Sequence, residues 1–383
     1  QFDAKELTLS NGAKVILKKT NLKANEILMM ATAAGGKSIG KNENLAMRKM
    51  WDDIASIHGL GTKDINDLAN IAQTKTTNIE AGISNDLHYL SGSTVNQNLE
   101  TLMQMINLSF TGIKKDENYY KLITQYMKGK LEGKANDPEM VFQDSVMYYG
   151  HNKQLDALSP DPKDIDNINY DRALELYRQL FSNASEFTFV FVGSFDEATI
   201  KPLIAKYIAS LPSNKKKAEL ADMRNYTKGN VEKSFSFKMS NPQSKIVDTY
   251  RSEKVPYTLE NQLNASVLGQ YLWNKMFEII REKESAVYTP MPSVSLENDL
   301  NGNYLVIGCE LATNPEKTAI AKKLAKEIIY DAQTKITNED VARAKESILK
   351  NHSDALKKNS YWLSVLSDYA TYGVDRAKIG RAH

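Results

Sequence analysis

The chain opens on short apolar segments, Lys5–Ser10, Lys14–Lys19 and Glu26–Ala34, whose residue types and spacing predict three strands, with Asn11-Gly12 as the turn joining the first two. The period then changes. Met47, Met50, Trp51 and Ile54 fall on one stripe of a helix spanning about Glu43–His58, which stops before Gly59. A second amphipathic stretch covers Asp64–Gln73. Thr77–Ile83 and Leu87–Thr94 flank Ser84-Asn85-Asp86 and predict a hairpin, followed by a helix with Leu99, Leu102, Met103, Ile106 and Phe110 on one face. Helices are expected at Glu117–Leu131 and Asp171–Phe181. The near-continuous apolar run Glu186–Gly193 predicts a strand buried on both faces, and Ser194 with Glu197 predicts a capping box for a helix reaching Ser210.

Much of this order returns after Leu211-Pro212-Ser213. Strands are expected near Val231–Lys238 and Lys245–Arg251, a long helix over Leu259–Arg281, and a hairpin of Ala286–Ser295 with Tyr304–Leu311. Asn314 before Pro315 reads as a helix cap, and Thr337 with Asp340 as a capping box. The turn pairs Asn85-Asp86 and Asn298-Asp299 lie 213 positions apart, about one domain length, so the order hairpin, helix, helix suggests a duplication. The expected fold class is α+β, as two tandem homologous domains, each a mostly antiparallel sheet packed with helices. The expected domains are residues 1–213, a linker at 214–225, and 226–383 with its C-terminal helix, strand and helix missing.

Composition narrows the functional classes. With 42% hydrophobic and 25% charged residues the chain can bury ordinary cores, and a net charge of +2 spread along its length offers no field for phosphate backbones, which argues against nucleic acid. The basic run Lys215-Lys216-Lys217 reads as a solvated linker. No apolar stretch approaches the ~20 residues of a membrane span, and Gln1-Phe2-Asp3 begins no signal-peptide pattern. The single cysteine, Cys309, in phase with Leu305, Ile307 and Leu311, is expected to be a buried structural thiol.

Five histidines are present, and none stands beside a partner suited to metal or triad chemistry. His58, at the expected helix end, reads as a dipole cap; His88 lies on a hairpin strand, His151 in a loop, His352 on a charged helix face and His383 at the end. The chain has neither H-E-x-x-H nor H-x-x-E-H, and neither a nucleophile elbow nor a phosphate loop, so its own metal ligands are none. What remains is Arg281-Glu282-Lys283-Glu284-Ser285-Ala286-Val287-Tyr288-Thr289-Pro290, where a long helix hands over to a strand. Arg281 and Tyr288, seven apart across that joint, have room to converge on one site. The plainer alternative is a surface arginine paired with Glu282 or Glu284 and a tyrosine packed on the sheet.

At these residues the sequence resembles the insulinase or pitrilysin family of inverted-motif zinc peptidases, in its C-terminal half. Leu7-Thr8-Leu9-Ser10-Asn11-Gly12-Ala13-Lys14-Val15 is similar to a domain opening in that family, and Phe189-Val190-Phe191-Val192-Gly193-Ser194-Phe195-Asp196 with Ser210-Leu211-Pro212 to a domain ending. One departure stands out: where catalytic members carry H-x-x-E-H, this chain has Met47-Arg48-Lys49-Met50-Trp51. The resemblance implies a non-catalytic half, inactive alone, that closes over a peptide or unfolded protein. Zinc would be held by an N-terminal half of the same precursor or by a partner subunit. Arg281 would bind substrate oxygens, and Tyr288 would bind substrate and help stabilise the oxyanion. The family also suggests the cell envelope or periplasm. A catalytically inactive scaffold or peptide-binding subunit stays open, as does an unrelated α+β binding protein.

Overall fold

A computed structural model describes residues 3–214, 221–253, 255–299 and 302–375. The run Lys215–Lys217, the turn beyond Asp299 and the tail from Ile379 to His383 lie outside the described residues.

The elements follow in the order β1 (Lys5–Thr8), β2 (Lys14–Lys19), β3 (Ile27–Ala34), α1 (Leu45–Ala55), β4 (His58–Leu60), α2 (Ile65–Lys75), β5 (Asn78–Ile83) and β6 (Leu87–Thr94). Next come α3 (Leu99–Thr111), β7 (Ile113–Lys115), α4 (Glu117–Glu132), α5 (Pro138–Gly150), α6 (Pro162–Asp166), α7 (Tyr170–Leu180), β8 (Thr188–Gly193) and α8 (Glu197–Tyr207). Then follow β9 (Ser244–Glu253), α9 (Leu259–Met276), a π-helical turn (Phe277–Lys283), β10 (Met291–Asp299), β11 (Gly302–Thr313), α10 (Thr318–Asp331), α11 (Asn338–Ala355) and α12 (Asn359–Tyr372).

Two compact units result, one of residues 1–231 and 357–383, the other of 232–356. The first is built on a six-stranded sheet of order β1-β2-β8-β3-β6-β5, antiparallel except for the β2/β8 pair. Strand β8 explains its own sequence. Phe189 and Phe191 pack into the main core with Trp51, Tyr177 and Phe181, while Val190 and Val192 face the other way and are covered by Leu366 of α12. Because both faces are covered, the strand reads as one apolar run rather than an alternation.

The sequence-based division into 1–213, 214–225 and 226–383 differs from these compact units at α12. That helix lies on β3 and β8 of the first unit. Its start is pinned there by Asn359, whose Oδ1 accepts from Thr20 at 2.6 Å and whose Nδ2 donates to Glu26 at 2.9 Å. Lys18 Nζ sits 4.4 Å from the centre of the Trp362 ring. Burying Leu366 to 2% exposure is worth about 1.5–3 kcal/mol, a gain that apolar patterning promises without saying which sheet will provide it.

The second unit has a three-stranded antiparallel sheet, β10-β11-β9, with α9, α10 and α11. Leu272, Met276 and Ile280, spaced by four, line the buried side of α9 and its π turn and meet Cys309 and Leu311 of β11 and Ala325 and Ile328 of α10. Cys309 is buried as expected, its thiol 3.6 Å from Met276 Sδ, and burial pushes that thiol up to about 12. The Thr337/Asp340 capping box is present at the start of α11.

Four local readings are corrected. Val231–Lys238 forms no strand; Val231 and Phe235 are exposed, and the segment joins none of the sheets of the described residues. Asp196, not Ser194, precedes α8, while Ser194 Oγ accepts from Glu26 N and Glu197 pairs with Lys5 and Lys201. After Asn314 comes a 3₁₀ turn, Pro315–Lys317, and no side-chain cap from Asn314. Helix α1 ends at Ala55, so His58 caps nothing: it begins β4, buried, with Nδ1 3.0 Å from Gly59 O.

Candidate functional site

Helix α9 is capped by Thr258, whose hydroxyl accepts from Asn261 N, and runs 18 residues from Leu259 before the π turn over Phe277–Lys283. A π turn shifts the phase of side chains by inserting a residue, and such turns recur at functional sites. Here Ile280 stays buried while Phe277 and Arg281 share the outer side. The chain then reverses. Ser285 takes φ +47°, a left-handed step that costs a non-glycine residue about 1–2 kcal/mol, and Ala286 N donates to Ile280 O at 2.8 Å. Ala286 and Val287 are buried, and Tyr288 emerges 84% exposed.

This reversal brings Arg281 and Tyr288 together. The guanidinium carbon lies 5.5 Å from the Tyr288 ring centre and 4.3 Å from that of Phe277, so two aromatic rings flank one cation. Trp273 stacks on Phe277 with ring centres 4.9 Å apart and planes at 19°. Arg281 Nε is 3.7 Å from Glu282 Oε1, longer than a hydrogen bond, so the plainer surface ion pair is present only in weak form. Contact through ring faces uses none of the guanidinium donors. Tyr288 is not on the strand, as expected from sequence, but in the connection before β10 begins at Met291.

The connection is tied from behind. Lys317 Nζ donates to Ser285 O at 2.8 Å and Glu284 O at 3.2 Å, and Thr313 Oγ1 donates to Ala286 O. Sequence reasoning missed Phe277, Ser285, Thr313 and Lys317; only Phe277, four positions before Arg281, had a local signal. Beside the pair runs a groove of about 740 Å³ between α9 and α11, lined by Trp273, Phe277, Glu278, Glu282, Arg343 and Lys350. At its base burial works to raise the Asp340 carboxyl, yet hydrogen bonds from Thr337 and the Lys275 ammonium bring it down to about 2.

The segment Met47–Trp51, expected from the resemblance to stand where catalytic members carry their zinc motif, lies on α1 of the first unit. On α1, Met47, Met50 and Trp51 are exposed by 1%, 1% and 0%, all packed into the core. Two thioethers and an indole in an apolar interior do not fit a zinc ion, which needs imidazole, thiolate or carboxylate. Among the described residues there is no group of three or more His, Cys, Asp or Glu arranged to hold a metal. His58 and His88 are buried, and desolvation lowers each to about 4, leaving them neutral.

The family model described as the peptidase M16 inactive domain matches residues 167–348, a span that contains Arg281 and Tyr288. The chain is similar to a zinc protease PQQL-like protein of Arabidopsis thaliana, 22% identical over 376 residues that cover 94% of this chain and 36% of that protein. It is also similar to the probable zinc protease PqqL of Escherichia coli strain K12, 23% identical over 331 residues, or 84% of this chain and 35% of that one. The chain thus spans about a third of the length of these curated relatives. In fold it is similar to the crystal structure of the periplasmic protease PqqL from Escherichia coli, with TM-score 0.80 and 20% identity over 97% of this chain and 41% of that chain. A peptidase M16 inactive domain from Pseudomonas fluorescens superposes with TM-score 0.73 and 14% identity, covering 99% and 90%. The chain is thus similar over residues 167–348 to the inactive domain of M16 peptidases, along most of its length to proteins described as zinc proteases, and in fold to a periplasmic protease.

Proposed function

We propose that this chain is the non-catalytic half of a zinc-dependent endopeptidase, closing over a peptide or unfolded protein while a zinc-bearing half, on the same precursor or a partner subunit, carries the metal. Arg281 and Tyr288 are its substrate-handling pair. The observation that carries this reading is their joint geometry: an 84% exposed phenol held against a guanidinium whose donors are not consumed by a short ion pair. A guanidinium offers fixed, permanently charged donors to backbone carbonyl or carboxylate oxygens. A phenol hydroxyl beside it supplies one further donor for an oxygen that gains negative charge as a peptide bond is attacked. Exposed aromatic and cationic groups on a lone half are what a partner or substrate would cover. The similarity to a periplasmic protease supports an envelope or periplasmic location for this protein too.

The test is reconstitution with a zinc-bearing half and a quenched peptide substrate. Arg281→Ala and Tyr288→Phe are each expected to lower the rate about 100–1,000-fold, the usual effect of losing one oxyanion donor. Full rates for both variants would sink the assigned roles. Tight peptide binding with no hydrolysis in any reconstituted pair would instead favour the alternative of an inactive peptide-binding scaffold, which the apolar packing of Met47, Met50 and Trp51 also permits.

A further inference from the structure

The position of Tyr288 depends on a residue from another part of the fold. Between the π turn and the phenol the backbone makes the left-handed step at Ser285, and successive carbonyls around it point toward the start of α10. There Lys317, last residue of the 3₁₀ turn Pro315–Lys317, places its ammonium 3.2 Å from Glu284 O and 2.8 Å from Ser285 O. The next carbonyl, of Ala286, accepts from the buried Thr313 hydroxyl. A cation at a helix C-terminus meets carbonyls that have no partner within the helix and that carry the negative end of its dipole. Lys317 supplies that cation from 32 residues downstream.

We propose that Lys317 is a positioning residue: by gathering the carbonyls of Glu284 and Ser285 onto its ammonium, it fixes the left-handed step that brings the Tyr288 ring against Arg281. The proposal rests on the reading of Arg281 and Tyr288 as the substrate-handling pair. Thr313 anchors the following buried residue, so the backbone there holds its course toward β10 even without Lys317; what Lys317 governs is the angle at which the exposed phenol leaves. Removal of its charge therefore releases Tyr288 while the hydrophobic core of Leu272, Met276, Ile280 and Leu311 stays intact.

The experiment uses the whole chain with labelled arginine and tyrosine, reading the nuclear Overhauser effect between the Tyr288 ring protons and the Arg281 side chain. Lys317→Met keeps the length and loses the donors; the Overhauser signal is expected to disappear while the urea midpoint stays near that of the parent. Lys317→Arg, which keeps the charge, is expected to restore the signal, and Lys317→Gln, a shorter and uncharged donor, to keep part of it. An undiminished signal in Lys317→Met overturns the proposal, and so does a signal that vanishes equally in Lys317→Arg. In the protein reconstituted with a zinc-bearing half, Lys317→Met is expected to lower kcat about 100-fold with KM nearly unchanged, the scale of effect of a small misplacement. If the signal vanishes and kcat is unaffected, the positioning stands and the role given to Arg281 and Tyr288 falls.

Discussion

The guanidinium carbon of Arg281 lies 4.3 Å from the centre of the Phe277 ring, four residues earlier on the same side of the helical segment. A cation over an aromatic face at a partly exposed position is worth about 0.5–1 kcal/mol. Arg281 is 35% exposed, and this partial desolvation places the contact toward the upper end of that range. The prediction is a coupling energy of that size in a double-mutant cycle of Phe277→Leu and Arg281→Met, measured by urea denaturation of the chain. Strict additivity of the two substitutions would show that the ring and the cation do not interact, and that Phe277 does not help orient Arg281.

Acid should weaken the first unit through two histidines. Desolvation lowers both His58 and His88 to about 4, against about 6.5 for an unfolded imidazole. Between those values the unfolded chain binds protons that the folded chain refuses, so the stabilisation is complete above about pH 6.5 and is lost as pH falls toward 4. The linkage amounts to about 2 kcal/mol per histidine on going from pH 7 to pH 5. At His88 the carbonyls Gly35 O at 2.8 Å and Leu180 O at 3.0 Å from the two ring nitrogens favour the charged ring and work against desolvation, so His58 is the firmer case. His58 has a buried Nε2 with no hydrogen-bond partner. Denaturation curves of His58→Phe between pH 7 and 5 should lose roughly half of the pH slope assigned to the two groups; an unchanged slope would rule out His58 as a contributor.

Trp51 and Gly40 form a tight steric pair. A β-carbon added at Gly40 would lie 2.5 Å from Trp51 Nε1, closer than any relaxed approach. Trp51 is fully buried, so Trp51→Ala is expected to cost about 3–5 kcal/mol through lost burial and the cavity left behind. Gly40→Ala alone should cost about 1–3 kcal/mol by overpacking. Combined with Trp51→Ala its added cost should fall close to zero, because the clashing ring is gone. Thermal or urea midpoints of the four proteins decide this, and equal penalties for Gly40→Ala in both backgrounds would refute the clash. The same measurement bears on why this helix holds no zinc motif: the position is committed to packing.

Much of the chain was legible in the residues themselves. The hairpin around Ser84-Asn85-Asp86, the stripe Met47, Met50, Trp51, Ile54, the capping box of Thr337 with Asp340 and the doubly apolar β8 all follow from local rules, because each depends on turn chemistry or on side chains a few positions apart. The resemblance to insulinase-like peptidases rested on the same short range, in segments such as Arg281 to Tyr288, and the match over residues 167–348 includes that segment.

Other features were set by partners far away in sequence. No helix was read from the sequence at Asn359–Tyr372, whose burial against Val190 and Val192 depends on a distant sheet, and Val231–Lys238 could not reveal that it joins none of the sheets of the described residues. His58 reads as a helix cap in the sequence and becomes a buried neutral ring in the fold, since its surroundings come from distant Tyr177, 4.6 Å away between ring centres. Spacing alone determined that Arg281 and Tyr288 stand on either side of a joint. That they meet follows from the reversal over the π turn and the left-handed Ser285, where Lys317 from 32 residues downstream satisfies two of the carbonyls, a partner that spacing does not encode.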